Sequence, residues 1–396
     1  MSDALQTKEA YLEVCADSKK QPDSEIIAIL DRIVDDQILD PNGSCTLELK
    51  LNANKRNTNN EKYREKINDE GVDELCRTLQ GNTFVVALDL GYNSISDDGA
   101  KTLSTLLEET AVLRKLILSY NDITYTGAEY MAKGLQMNET LLILRINGNK
   151  ICDKGALAIA GSLQVNTVLE ELDLADTDMT TDSCVAMATV LKYNNTLKVL
   201  NMSRPILHSS QEEAVIVHIA TMLKVNRSLL EIHVTKFGIK DFGAERLAEN
   251  LTANTTLRHL DISCNGITRD GASYLAKVLM KNTHLETLNL AYNRIEDDGA
   301  CALGDALALR NTNLVTLNIR SNNITSVGLC SLAKAMKRNN TLRRIYIWGN
   351  NLQEAACNAF QDLMSGRSPR LTNENTDVCP YVVDGITYLS RTDGIY

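Results

Sequence analysis

Histidine and cysteine are the residues of this sequence with the widest chemical reach, because both bind metal ions and both serve in catalysis. None of the histidines forms an H-E-x-x-H motif or a Cys/His cluster with zinc spacing. The ten cysteines are scattered, and no two of them form a C-x-x-C pair. The histidines are His208, His218, His233, His259 and His284. The sequence therefore predicts no metal site and no cofactor.

Motifs for nucleotide binding and for acyl transfer are also missing. The chain has no G-x-x-x-x-G-K-[ST] phosphate loop and no G-x-S-x-G nucleophile turn. A nucleophile would have to be assembled from distant parts of the chain. We therefore expect no enzyme activity and no small-molecule substrate.

The amino-acid composition limits the classes of partner that this chain is expected to bind. The 396 residues are 44% hydrophobic, and the formal net charge is −10. An acidic balance argues against direct nucleic-acid binding and is compatible with basic partners. No stretch of 18 apolar residues predicts a membrane span, and the first residues, MSDALQTKEAYLEV, lack a signal-peptide core. We expect an intracellular protein whose cysteines are reduced and mostly buried.

A repeat of 28 residues organises the chain. Leu257, Leu260, Ile262, Asn265 and Ile267 recur 28 positions later, and an amphipathic segment separates the two copies. The pattern L-x-x-L-x-L-x-x-N followed by a helix predicts a strand–helix unit that stacks on its neighbours. About eleven such units are expected between residues 45 and 364.

An asparagine ends each predicted strand. Its side-chain amide donates to and accepts from backbone groups of the turn, so stacked asparagines satisfy a buried turn in every repeat. The ladder positions are Asn93, Asn121, Asn149, Thr177, Pro205, Phe237, Asn265, Asn293, Asn322 and Asn350. A glycine six residues later, as at Gly99 and Gly127, lets the helix begin close to the turn.

Three consecutive repeats, at Thr177, Pro205 and Phe237, break this ladder, and the step from Pro205 to Phe237 is longer than the others. Proline fixes φ and has no backbone donor, so the usual turn cannot form there. The break is either a local insertion in a surface turn or a shape used for docking.

Further asparagines fall just after each predicted helix and resemble glycosylation acceptors. These are Asn138, Asn194, Asn226, Asn254 and Asn339, each within an N-x-[ST] tripeptide. We interpret them as structural residues that tolerate the left-handed conformation at a helix end.

The ends of the chain depart from the repeat. Residues 1–44 contain a predicted helix, 25–36, and are expected to form an N-terminal helical cap. A polar excursion, KRNTNNEKYREKINDE, makes the first repeat atypical. Residues 365–396 carry a hairpin signal at Asp384-Gly385 and form either a C-terminal cap or a docking tail.

The consensus L-x-x-L-x-L-x-x-N-x-[IL]-x-x-x-G-x-x-x-[LM]-[AS]-x-x-L resembles the ribonuclease-inhibitor class of leucine-rich repeats over about three quarters of the chain. The resemblance implies an α/β solenoid, a horseshoe with parallel strands on the concave face and helices on the convex face. The irregular stretches RPILHSSQEE, IYIWGN and NTDVCPYVVDGITYL resemble one particular group within these proteins. That closer resemblance implies a non-enzymatic protein of germ-line, stem and ciliated cells, in a cytoplasmic, axonemal, nuclear or nucleolar setting.

Candidate binding residues follow from strand alternation, which sends alternate side chains to the concave face. Tyrosine, tryptophan and arginine dominate binding hot spots. The predicted partner-binding residues are Asp89, Tyr92, Tyr120, Arg145, Asp173, Asp176, Arg204, His233, Asp261, Tyr292, Tyr346 and Trp348.

The leading hypothesis is a rigid protein-binding scaffold within a larger assembly such as the ciliary or flagellar axoneme. A regulatory binding protein of the nucleolus or cytoplasm is one alternative. By class resemblance, an inhibitor of a basic ribonuclease and a GTPase-activating protein for Ran are others. The mixture of acidic and basic residues on the predicted face weakens the first, and the lack of an acidic tail weakens the second.

Overall fold

The computed structural model describes residues 3–39, 47–54, 65–208, 211–282, 284–310, 312–366 and 369–392. It divides the chain into two compact units, Met1–Leu200 and Asn201–Tyr396. Within the described residues, each of the eleven predicted strand positions carries a short strand, and helices alternate with these strands. The predicted solenoid of strand–helix repeats is thereby confirmed.

The first unit contains strands β1 to β5, which pair in parallel in sequence order. Its elements are α1 (Asp3–Asp17), α2 (Ser24–Leu39), β1 (Leu47–Lys50), α3 (Asp69–Leu79), β2 (Val85–Asp89), α4 (Asp97–Glu109), β3 (Lys115–Ile117), α5 (Tyr125–Met137), β4 (Ile143–Arg145), α6 (Cys152–Ser162), β5 (Glu171–Asp173) and α7 (Thr181–Val190). The boundary between the units falls within β6 (Val199–Asn201).

The second unit repeats this order, and its strands β7 to β11 are again parallel in sequence order. Its elements are α8 (Glu212–Val225), β7 (Glu231–His233), α9 (Lys240–Leu251), β8 (His259–Asp261), α10 (Arg269–Leu279), β9 (Thr287–Asn289), α11 (Glu296–Leu309), β10 (Thr316–Asn318), α12 (Ser326–Arg338), β11 (Arg344–Tyr346), α13 (Glu354–Met364), β12 (Val378–Val383) and β13 (Ile386–Arg391). No helix in the described part of the chain is both long and apolar enough to span a membrane.

The asparagine ladder forms as the sequence predicts. Asn149 is fully buried; its Nδ2 donates to the carbonyls of Leu118 and Ile146 at 2.8 and 2.9 Å. Its Oδ1 accepts from the backbone N–H of Ile123 at 3.1 Å. Each ladder asparagine therefore joins its own strand to the preceding repeat. At Thr177, where the ladder asparagine is replaced, the side-chain hydroxyl donates to the Leu174 carbonyl of its own repeat at 2.6 Å.

The asparagines after the helices form a second ladder, and the predicted left-handed backbone is wrong. Asn138 has φ −79° and ψ 130°, which is extended. Its Nδ2 donates to the Leu107 carbonyl at 2.7 Å, and its Oδ1 accepts from the Leu141 N–H at 2.6 Å. The asparagine is required for these two bonds rather than for its φ. Asn138 and the four equivalent asparagines, Asn194, Asn226, Asn254 and Asn339, are all buried, which favours the structural interpretation over glycosylation at these five positions.

Aspartates at the helix starts build a third ladder. Asp97 accepts from the backbone N–H and the hydroxyl of Thr124, at 2.8 and 2.6 Å, and from the N–H of Gly127 at 2.9 Å. A Cβ on Gly127 would lie 2.6 Å from the Asp97 carboxylate and 2.7 Å from Ile123 Cγ2. The predicted need for a small residue where the helix meets the turn is confirmed.

Helices pack on the first repeat at the N-terminal end. The described part of the predicted helix 25–36 lies within α2, where the Asp23 carboxylate accepts from the Glu25 N–H at 2.8 Å. Helix α1 was not predicted, and it buries Tyr11 and Cys15. Most of the polar excursion after β1 lies outside the described residues.

Residues after α13 lie against the last repeat. Asp377 is fully buried, and its carboxylate accepts from the N–H groups of Ile347 and Trp348 at 2.8 and 3.1 Å. Arg370 Nη2 donates to the carbonyl of Asn339 at 2.6 Å, where the second ladder would otherwise continue. The predicted hairpin turn at Asp384-Gly385 is confirmed by its two positive φ values, 50° and 79°.

The nine described cysteines are free thiols, as expected, but most of them are not buried. Cys15, Cys76, Cys184 and Cys357 are buried, and Cys152 is exposed. Burial raises the pKa of the Cys76 and Cys184 thiols to about 12. These two thiols are therefore packing residues with little thiolate character.

Candidate binding face

Two rows of side chains accompany the strands. The first, here called the strand row, is the last residue of each of the strands β2 to β11, and all its members are half-buried. Parallel pairing sets neighbouring members opposite one another, as with Arg145 and Asp173, or His233 and Asp261. The strand row is Asp89, Ile117, Arg145, Asp173, Asn201, His233, Asp261, Asn289, Asn318 and Tyr346.

The second row, here called the turn row, lies three residues further along the chain and does not belong to the strands. Every member has a positive φ, between 50° and 83°. Strand alternation therefore does not place these residues; a left-handed turn after each strand does. The turn row is Tyr92, Tyr120, Gly148, Asp176, Arg204, Lys236, Cys264, Tyr292, Ser321 and Gly349.

Two of the predicted tyrosines stack in the first unit. The rings of Tyr92 and Tyr120 lie 4.7 Å apart at an interplanar angle of 21°. Gly148 leaves room for the second ring, because a Cβ there would lie 2.4 Å from Tyr120 Cδ1. Tyr120 nevertheless keeps 42% of its surface exposed. The result is an aromatic surface held in place from both sides.

Charged residues in the strand row of the first unit are engaged by their neighbours. Arg145 forms an ion pair with Glu171, with 2.6 Å between Nη2 and Oε1. The Asp89 carboxylate accepts from the Gly91 N–H at 3.1 Å, and that of Asp173 accepts from the Ala175 N–H at 3.0 Å. Both aspartates therefore help to fix the turn that follows their strand.

The second unit brings four titratable side chains together. In the register of β7 and β8, Glu231 lies opposite His259, and His233 lies opposite Asp261. Glu231 Oε1 is 2.7 Å from His233 Nε2 and 3.5 Å from His259 Nδ1. His233 Nδ1 lies 3.6 Å from Asp261 Oδ2, which is an ion-pair distance. We call these four residues the His/carboxylate cluster.

The charges of the His/carboxylate cluster are coupled. Burial alone would lower the pKa of His233, but the carboxylates of Asp261 and Glu231 outweigh it and raise that pKa to about 9. Burial would raise the pKa of Asp261, but hydrogen bonds and the charge of His233 lower it to about 2. Burial lowers the pKa of His259. At neutral pH, His233 is therefore an imidazolium between two carboxylates.

Further polar groups orient Asp261. Its Oδ1 accepts from the Ser263 N–H and hydroxyl at 2.9 and 2.7 Å. Its Oδ2 accepts from Asn289 Nδ2 at 2.9 Å. Neighbouring repeats thus hold the Asp261 carboxylate in one orientation towards His233.

Tyr346 and Trp348, at the last repeat, lie beside the C-terminal residues. The Arg320 guanidinium stands 5.0 Å from the centre of the Tyr346 ring and forms an ion pair with Asp377. The backbone N–H of Trp348 donates to the Asp377 carboxylate. By contrast, Tyr292 lies in the turn row with 60% of its surface exposed.

Local sequence motifs do not reveal Glu231 and His259 as site residues. The cluster combines two residues from each of two strands that are 28 residues apart, whereas a metal motif lies within one stretch of chain. The segment E-I-H at 231–233 followed by H-L-D at 259–261 carried the signal. Alternation places the two polar residues of each triplet on one face, and the repeat period then sets the pairs side by side.

Comparison with known protein families identifies the repeat class to which this chain belongs. The family described as leucine-rich repeat matches residues 81–104, 111–132, 138–160, 165–188, 253–276, 281–304 and 310–333. These matches flank the break at Pro205 without covering it. The chain is a leucine-rich repeat protein.

Relatives of this leucine-rich repeat protein confirm the closer resemblance. It is 40% identical to leucine-rich repeat-containing protein 34 of Mus musculus over 48% of this chain and 46% of that protein. It is 43% identical to the Homo sapiens protein of that name over 48% of this chain and 41% of that protein. The chain thus matches less than half the length of these curated relatives.

Two solved structures are also similar to this leucine-rich repeat protein. A chain of the yeast Rad7 and Elc1 complex is 16% identical, with a TM-score of 0.43, over 72% of this chain and 80% of that chain. The leiomodin-1 actin-binding site 2 is 24% identical, with a TM-score of 0.34, over 43% of this chain and 90% of that chain.

Proposed function

We propose that this chain is a non-enzymatic scaffold that binds another protein through its strand row and turn row. The observation that carries the proposal is the placement of Tyr92, Tyr120 and Tyr292 at positive φ. A left-handed conformation costs a residue with a Cβ about 1–2 kcal/mol, and glycine occupies the same place at Gly148 and Gly349. A bulky residue kept at such a position points to a use for its side chain.

The aromatic surface has the properties of a binding anchor. Tyr120 is partly exposed, and its ring is held between Tyr92 and Gly148. A side chain that is already ordered loses little conformational entropy when a partner covers it. Tyrosine is also among the residues that contribute most to binding energy in protein interfaces. These properties favour a protein partner over a small molecule.

The assembly that holds the scaffold is a further part of the proposal. The resemblance to leucine-rich repeat-containing protein 34 supports a place in the ciliary or flagellar axoneme, with axonemal proteins as partners. A binding role in the nucleolus or cytoplasm is the alternative that the same resemblance supports. Inhibition of a ribonuclease and activation of the Ran GTPase are weaker candidates that the same experiment can reveal.

We also propose three regions: a helical cap at 1–44, the repeat array at 45–364, and a tail at 365–396 that caps the last repeat. Hydrogen bonds support the cap over the docking alternative for the tail. In the preceding repeat, the Ile319 N–H bonds to the Tyr346 carbonyl of the next strand; the equivalent N–H of Ile347 bonds to Asp377 instead. Asp377 thus takes the place of a following strand.

Crosslinking and affinity capture from ciliated cells test the binding proposal. The probe is the double variant Tyr92→Ala/Tyr120→Ala, and the matched control is Tyr193→Ala. Tyr193 follows α7 and is 80% exposed, outside both rows. We expect the double variant to lose its partners by tenfold or more, and the control to keep them. Equal capture by all three proteins would rule out the aromatic surface as the binding site.

Truncation after Ser365 separates the two proposals for the tail. If the tail is a cap, the truncated chain should lose thermal stability, because the buried groups of β11 are left without partners. If the tail is a docking segment, the truncated chain should lose partners while keeping its melting temperature.

A further inference from the structure

We propose that Glu231, His233 and His259 bind a divalent transition-metal ion, with Zn²⁺ the best match, at strands β7 and β8 of the second unit. Two imidazoles and one carboxylate are ligands that zinc takes in proteins. The inference rests on the geometry of β7 and β8 alone and does not depend on the proposed protein-binding function.

The ligand atoms are already close to coordination distances. One ligand atom from each of the three residues lies within 4.8 Å of the other two. In a tetrahedral zinc site, neighbouring ligand atoms stand about 3.3 Å apart, given metal–ligand bonds of about 2.0–2.1 Å. Glu231 Oε1 lies 2.7 Å from His233 Nε2 and 3.5 Å from His259 Nδ1, and these distances bracket that value. Binding of the ion therefore requires the side chains to rotate until the two histidine nitrogens also stand about 3.3 Å apart.

Asp261 supplies the outer contact that zinc-binding histidines usually have. A carboxylate facing the far nitrogen of a ligating histidine fixes its tautomer and strengthens it as a ligand. Asp261 Oδ2 faces His233 Nδ1, so that His233 Nε2 is the nitrogen directed at Glu231. Ser263 and Asn289 hold the Asp261 carboxylate in that position.

Charge and access also favour a cation. Two carboxylates face two histidines, one of which is an imidazolium at neutral pH, so the cluster carries one net negative charge. When the proton of that imidazolium passes to solvent, the two carboxylates match the charge of a divalent ion. The side chains of Glu231, His233 and His259 keep 33%, 24% and 31% of their surfaces exposed, so solvent reaches the ligand atoms. Three protein ligands leave a fourth position for water or for a side chain of another molecule. The ion displaces the proton that joins His233 and Glu231, as metal binding to histidine generally does.

Titration calorimetry of the full chain with Zn²⁺ alone tests the inference. The variants are His233→Gln, His259→Gln and Glu231→Gln, and the matched control is His208→Gln, an exposed histidine of the same unit. We expect the wild type and the control to bind one more Zn²⁺ ion than the first three variants. Asp261→Asn should keep the site with affinity weakened about 10–100-fold, the usual effect of losing an outer carboxylate.

Two further measurements keep the test decisive. Because the chain has ten cysteines, Co²⁺ is used as a spectroscopic probe. A nitrogen and oxygen site shows visible d–d bands without the ultraviolet charge-transfer band of a thiolate. Zn²⁺ should also raise the melting temperature of the wild type and not that of His259→Gln. The inference is overturned if His259→Gln binds Zn²⁺ as tightly as the wild type, or if Co²⁺ gives thiolate bands alone.

Discussion

The buried asparagine ladder and the strand row belong to the same repeats. The ladder keeps the same residue in most repeats, whereas the residue type in the strand row changes from one repeat to the next. Asn121 and Asn149 make the same set of bonds one repeat apart, to backbone groups at equivalent positions. In the strand row, the residues of those two repeats are Ile117 and Arg145. The buried asparagines recur because every repeat presents the same backbone groups for their side chains to bond.

Where the strand row carries Asp or Asn, as at Asp89 and Asp173, the side chain accepts from the backbone N–H two residues further along. The same position also carries Ile117 and Arg145, so this bond does not fix one residue type along the row and leaves room for a partner's chemistry to select it.

The difference implies that substitutions in the two regions act on different properties. A change in the ladder removes bonds inside the protein and should lower its stability. A change in the strand row or turn row leaves those bonds in place and should act on binding, on charge or on local strain. Single substitutions in each region can separate these effects.

Asn149→Ala should give the largest loss of stability, about 3 kcal/mol in the free energy of unfolding. The substitution leaves the carbonyl of Ile146 and the N–H of Ile123 buried without their side-chain partner, and the carbonyl of Leu118 keeps its bond from Asn121 Nδ2. Each unsatisfied buried group costs about 1–3 kcal/mol. Urea denaturation followed by circular dichroism measures the loss.

Thr177→Ala is the matched control for the ladder, because it removes a single bond, to the Leu174 carbonyl. Its cost should be about 1 kcal/mol. Equal losses for the two variants would mean that the ladder asparagines act mainly by packing, and the contrast between interior and strand row would lose its basis.

The same contrast explains what the sequence could predict. A ladder residue has one physical task in every repeat, so its spacing alone reveals the strand, the turn and the helix start. The asparagines after the helices show the limit of that reasoning. Their period is visible in the sequence, but two different causes would select asparagine there: a left-handed backbone and a hydrogen bond to the preceding repeat. The structure shows the hydrogen bond and an extended backbone.

The candidate site was less accessible to prediction, because its contacts run between repeats. Tyr92 and Tyr120 were proposed from residue type, yet their stacking depends on the left-handed turn and on the space at Gly148. The His/carboxylate cluster requires the register of β7 and β8, which follows from the 28-residue period and from no local motif.

His233→Gln should have an intermediate effect on stability that depends on pH. The pKa of His233 is about 9 in the folded chain, against 6.5 for an ordinary histidine side chain, so the protonated form stabilises the fold. That contribution is complete below pH 6.5 and is lost as the pH rises through 9. Allowing for partial exposure, it is worth about 2 kcal/mol. The stability difference between wild type and variant should therefore shrink between about pH 7 and pH 10.

The facing groups define the control for this experiment. Glu231, His259 and Asp261 are the titratable residues of the cluster around His233, and the pKa of Asp261 is lowered to about 2. The stabilising contribution of Asp261 is present above its ordinary value of 3.8 and is lost as the pH falls through 2, so it does not change in the alkaline range. Urea denaturation at about pH 7 and pH 10, in buffer with a metal chelator, isolates His233. A stability difference that is constant over this range would show that His233 is neutral in the folded protein.

Cys264→Gly should give the smallest effect, a gain of about 0.5 kcal/mol in stability. Cys264 sits in the turn row with φ 55°, which costs a residue with a Cβ about 1–2 kcal/mol. Glycine removes that cost. It also makes the unfolded chain more flexible, which lowers the stability of the fold by about 0.4–1 kcal/mol. Gly148→Ala is the opposite experiment, because its φ is 74° and the new Cβ would meet the Tyr120 ring. It should destabilise the protein by more than Cys264→Gly stabilises it, as thermal denaturation of the two variants would measure. If Cys264→Gly were destabilising instead, the turn row would not be strained, and the retention of tyrosine there would cease to support a binding role.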